Sequence, residues 1–138
     1  MADKIDSESA ELMFQQFCDD WHIKDDISKF NAEDMDTFNQ AKDRIIEAFE
    51  SGNLEIVDTK TLEYKFIFAE ELNCQSVKIR RPRGATYMEA DAGKKDDNMK
   101  KMFYMLSEMT GKSAAFYSKV DAVDIKTIMA VTSLFFGS

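Results

Sequence analysis

The sequence predicts an α+β fold that is mainly α: an N-terminal helical hairpin, a small antiparallel β-hairpin or three-stranded sheet, and a C-terminal helical bundle. Three observations carry this. Apolar residues recur at intervals of three and four in four separate segments, which is the period of one helix face. Between them, short runs alternate apolar and polar residues, the period of a half-buried strand. Hydrophobic residues fill 44% of the 138 positions, enough to bury a core and too many for a disordered chain.

The first helix is expected over about 8–21, with Ala10, Met13, Phe14, Phe17, Cys18 and Trp21 on one face and Ser7 or Ser9 as its cap. HIKDDISKFN follows as a loop with Ile27 and Phe30 as apolar pins. Asn31 opens a second helix over about 32–51, with acids in its first turn, where the helix dipole favours them, and Gly52 just past its end. LEIV at 54–57 reads as a short strand. LEYKFIF at 62–68 places Leu62, Tyr64, Phe66 and Phe68 on one side, and 76–80 alternates Val77 and Ile79 against polar residues. AEELNC joins these two runs, Asn73 supplying turn chemistry. Pro82, the only proline, ends the last strand, and Gly84 turns the chain. A short helix is expected at about 85–92, then a polar stretch, then a helix over about 97–110 that stops at Gly111. One turn is expected at 113–118, and Asp121 caps the last helix, with Asp124 three residues on in the manner of a capping box.

Charge divides the chain. Residues 1–58 hold 16 acids against 5 bases, whereas residues 59–138 hold 10 acids against 13 bases. Two modules are therefore expected: an acidic helical hairpin over 1–58 and a second unit over 59–138. The net charge of −8 argues against nucleic acid as the main partner, since phosphate binding needs a dominant positive field. No apolar run reaches the length needed to cross a bilayer, and the first residues, MADKIDSESAEL, lack a secretory pattern, so a cytoplasmic protein is expected.

Chemistry is sparse. A single histidine, His22, leaves no two-histidine metal site, and Cys18 four residues before it falls on an apolar stripe. Paired acids sit at expected helix ends and loops. No cofactor and no enzymatic activity are expected. Two surface features stand out instead. Arg80, Arg81 and Arg83 cluster where the last strand ends, suited to an acidic protein surface. The last third is rich in methionine, a side chain that adapts to varied apolar partners. On that basis Met102, Met105, Met109, Ile125, Ile128, Met129, Phe135 and Phe136 are expected to form an apolar helical face that binds a partner. Adjacent Phe135 and Phe136 cannot both face inward, so self-association is also expected.

From about Leu62 to Phe136 the order of features becomes recognisable. Two strands are followed by VKIRRPRGATYMEAD, a polar gap, a helix ending MLSEMTGKS, and a closing VDAVDIKTIMAVTSLFFG. This resembles the tail assembly chaperones of tailed bacteriophages, with Arg81, Pro82, Gly84, Thr110, Gly111, Asp121, Asp124, Phe135 and Phe136 at the family-like positions. Residues 1–58 precede the resembling region. The resemblance implies a non-enzymatic chaperone that coats the tape measure protein, in the host cytoplasm, until major tail tube subunits replace it. It also implies that a longer product can arise by ribosomal frameshifting. An alternative is a structural or adaptor subunit of the tail or baseplate, binding through the strand edge and the arginines. A third reading is an acidic regulator that uses residues 1–58 to mimic nucleic acid.

Overall fold

The computed structural model describes residues 5–23, 30–84, 86 and 98–134. Helix α1, Ser7–Trp21, begins one residue earlier than expected, because Asp6 and neither serine is its cap. The Asp6 carboxylate accepts the Ser9 N–H at 2.7 Å, and that bond holds its carboxyl below the usual value. At the other end His22 adopts the left-handed conformation (φ 56°). Its N–H donates to the Asp19 carbonyl and that of Ile23 donates to the Cys18 carbonyl, which closes the helix and buries Ile23. The lone histidine thus ends a helix. Helix α2, Ala32–Ser51, follows the sequence reading at both ends: Asn31 accepts from the Asp34 N–H at 2.7 Å, and Gly52 is left-handed (φ 81°). Phe14 of α1 meets Phe38 of α2 edge-on at 6.2 Å, and these rings hold the helical hairpin together.

Strands β1 (Leu54–Asp58), β2 (Thr61–Lys65) and β3 (Ser76–Arg80) form an antiparallel sheet in that order. The register pairs Leu54 with Tyr64 and Leu62 with Ile79, so one face of the sheet is apolar and buried. A one-turn 3₁₀ helix, Glu70–Leu72, and left-handed Asn73 (φ 52°) connect β2 to β3. Helix α3 (Asn98–Thr110), the short α4 (Ala114–Tyr117) and α5 (Ala122–Ser133) complete the fold, with α5 packed against both α2 and α3. The protein is α+β and mainly α.

Two expectations are corrected here. A boundary at residue 58 would cut the β1–β2 hairpin, and one hydrophobic core runs from Ala10 and Phe14 through Leu62 and Ile79 to Val131 and Leu134. The two charge regions therefore share one interior. The expected strand over 62–68 ends at Lys65, one further bond continues its register, and the donors after that go elsewhere. The Phe66 N–H donates to the Gln75 carbonyl, and the N–H groups of Ile67 and Phe68 donate to the carboxylate of Asp124. Phe68, expected to face inward, is exposed as a result. The expected helix at 85–92, the polar stretch after it and the pin at Ile27 lie outside the described residues, apart from Thr86.

Asp124 is the decisive residue. It is fully buried, and one carboxylate oxygen accepts the Tyr64 hydroxyl at 2.5 Å and the Ile67 N–H at 2.8 Å, while the other accepts the Phe68 N–H at 3.0 Å. The expected capping-box role is replaced by a tertiary one, since all three donors belong to β2 or the chain just after it. The first turn of α5 is also where the helix dipole favours an anion. Asp124→Ala leaves three donors unpaired in the interior and is expected to cost about 3 kcal/mol or more, against about 1.5–3 kcal/mol for Tyr64→Phe, measured by urea unfolding. Burial, then the bond to Asp124 and its charge, push the Tyr64 hydroxyl above its usual pKa of 10.0. A raised value means that this stability is fully present below pH 10 and is lost as pH rises further. Tyr64→Phe is therefore expected to flatten the alkaline fall in stability.

Candidate interaction surface

The apolar face expected from the sequence is largely interior. Met105, Met109 and Ile128 are buried, because α3 and α5 turn these side chains toward each other and toward the common core. This corrects their assignment to a partner-binding surface. Met102, Ile125 and Met129 are half-buried. Phe135 and Phe136 lie outside the described residues.

The arginine cluster also takes on an internal role. Arg80 donates through Nη2 to both the backbone carbonyl and the carboxylate of Glu108, the latter at 2.5 Å. Arg83 Nε donates to the same carboxylate oxygen at 2.9 Å, and the Thr86 hydroxyl approaches it at 3.4 Å. Glu108 stands in the last turn of α3, where the dipole favours cations, so Arg80 and Arg83 fasten the end of α3 to β3. An acidic partner would have to compete with an acid already in place. Arg81 is half-buried, and its N–H extends the sheet by donating to the Lys60 carbonyl. Pro82, with no N–H to give, ends that ladder.

The remaining motif residues divide. Asp121 caps α5 by accepting the Val123 N–H at 2.9 Å, and Gly111 closes α3 with φ +76°, a conformation that favours glycine. Gly84 is different: its backbone is not left-handed, and a Cβ there would meet nothing within 4 Å, so its position does not require glycine.

What the structure does present is a patch that the sequence reading missed. Ile67, Phe68 and Val123 are 53%, 51% and 48% exposed. They come from two segments 56 residues apart, brought together by Asp124, which binds the N–H groups of the first two and directly follows the third. Phe66, the residue just before Ile67, packs on Tyr64 and Phe116, with ring centroids 5.6 and 6.1 Å apart. The bonds to Asp124 hold the backbone under Ile67 and Phe68, and a held segment loses less entropy on binding than a loose apolar loop would. The signal in the sequence was Asp124 itself. It stands four residues before Ile128 and seven before Val131, on the inward stripe of its helix, where an acid needs a buried partner.

Among the described residues no three His, Cys, Asp or Glu side chains gather as a metal site, and no helix is long and apolar enough to cross a membrane. Cys18 is buried on the apolar stripe of α1, and His22 is exposed at the helix end. No family model, no curated protein and no solved structure matches this chain.

The bonds from Arg80 and Arg83 hold the Glu108 carboxyl below its usual value of 4.5. The stability this provides is present above pH 4.5 and is lost as pH falls through the lowered value. Glu108→Gln is expected to flatten that acid limb in thermal melts taken from pH 6 to 3 while leaving the alkaline limb unchanged.

Proposed function

We propose that this protein is a non-enzymatic tail assembly chaperone of a tailed phage or phage-like contractile particle, which binds and solubilises the tape measure protein during assembly. Two things support the reading. From Leu62 onward the order of strands, arginine–proline–glycine segment and aspartate-capped terminal helix resembles that family. The second, which carries the mechanism, is the half-exposed trio of Ile67, Phe68 and Val123 on a fixed base.

In this mechanism the chaperone lends apolar area to the client, and no bond is made or broken. A patch of three side chains is small beside a stable protein interface, so each contact is weak and reversible. A long client with repeated amphipathic segments can engage many copies, and self-association of the chaperone would multiply the contacts. Retention until assembly and release to incoming tube subunits follow from many weak contacts more readily than from one tight contact.

Co-expression with tape measure fragments tests the reading. The wild-type chain is expected to keep a fragment soluble and to copurify with it. Phe68→Asp and Val123→Asp, both at exposed positions, are expected to abolish copurification while the chaperone itself stays folded by circular dichroism. Mass spectrometry of finished particles should find the protein absent, whereas its presence there would identify a structural or adaptor subunit.

A further inference from the structure

A second feature lies on the N-terminal hairpin. A groove of about 330 Å³ opens between α1 and α2. Its floor is the pair Phe14 and Phe38, and its α1 wall carries Glu8, Glu11 and Leu12, with Lys42 on the α2 side. Leu12 is 67% exposed, the most exposed large apolar side chain among the described residues. Glu8, Glu11 or Leu12, Gln15 and Asp19 follow one another at helical spacing along a single stripe of α1, and Gln15 donates to the Asp19 carboxylate at 3.1 Å. This stripe is about 16 Å long at 1.5 Å per residue, or three turns of a helix laid beside it.

The charge of the groove identifies its occupant. Lys42, the one base on its wall among the described residues, stands 5.8 Å over the Phe14 ring, which engages that cation within the protein. Glu8, Glu11 and Asp19 have no basic partner within ion-pair distance among the described residues, and they belong to the region that carries 16 acids against 5 bases. The geometry points to the α1–α2 groove as a docking site for a cationic amphipathic helix of another protein. Its large apolar residues pack on Leu12 and lie over the Phe14–Phe38 floor, while its lysines or arginines face Glu8, Glu11 and Asp19. A third helix can lie along the crease between two packed helices by ridge-into-groove packing, with Leu12 as its apolar contact, and the acidic rim selects a basic one and speeds its approach. The Ile67–Phe68–Val123 patch includes no charged side chain, so the two surfaces select by different chemistry. This inference does not depend on the chaperone reading.

The probe is an 18-residue helical peptide with leucine along one face and lysine on the other, compared with an isomer of the same composition whose leucines are dispersed around the helix. Fluorescence anisotropy against the full chain is expected to give a micromolar Kd at 50 mM salt for the first peptide, weaker at 500 mM, and binding at least tenfold weaker for the isomer. Leu12→Glu and the double variant Glu8→Lys/Glu11→Lys are each expected to weaken binding at least tenfold. Glu47→Lys, at an exposed acid of α2 that does not line the groove, and Phe68→Asp should change it less than twofold. Equal binding of the two peptides, equal loss on Glu47→Lys, or no loss on Leu12→Glu would overturn the proposal. So would light scattering that shows a dimer which Leu12→Glu separates, because the groove would then belong to a second copy of this chain.

Discussion

One buried carboxylate fastens the helical and sheet layers of this protein to each other. Asp124 takes three hydrogen bonds from β2 and the segment after it, and among the described residues no basic side chain forms an ion pair with it. An interior anion is tolerable only when its lone pairs are well filled, and here two backbone N–H groups, a phenol and the start of a helix supply that environment. The same bonds take up the backbone donors of Ile67 and Phe68 just past β2 and tie α5 to the sheet. A second acid repeats the arrangement on the other side: Glu108 fastens α3 to β3 through Arg80 and Arg83. The two long helices of the C-terminal half, α3 and α5, are therefore each tied to the sheet by a single carboxylate, with apolar packing filling the space between.

This construction changes where a partner can bind. Methionine-rich helices suggest an adaptable groove, but α3 buries Met105 and Met109, and exposing them would require loosening the Glu108 fastening. Among the described residues from 59 onward, the exposed large apolar side chains stand where the chain leaves β2 and where α5 begins. Because Asp124 bonds to that backbone directly, the anchor that stabilises the fold also determines which apolar side chains face solvent. A chaperone built this way would offer a fixed patch to a client, which suits contacts that must form repeatedly and be displaced without refolding the chaperone.

Much of the fold was legible in the sequence. Both ends of α2, the limits of β3, the Asn73 and Gly111 turns and the Asp121 cap follow local rules, because capping and turn chemistry depend on a few adjacent residues. The candidate surface was not legible, for a different reason. Periodicity shows that Met105, Met109 and Ile128 share a stripe, but it does not distinguish a stripe that meets another helix from one that meets solvent. Asp124 resembled a cap because it stands three residues after one; its partners, 56 to 60 residues earlier in the chain, have no local signature. Arg80, Arg81 and Arg83 looked like a free basic patch for the same reason, since Glu108 lies 25 to 28 residues away from the arginines it binds. Local rules located the elements, and long-range polar pairs decided which surfaces were left over.

Methyl NMR of the full chain during titration with a soluble tape measure fragment tests the central claim most directly. If the client binds a rigid surface patch, the methyl signals of Ile67 and Val123 shift while those of Ile79 and Ile128 in the core do not. Shifts at Ile128 with Ile67 and Val123 unmoved would show that the client enters an opened interior, and the account would fail.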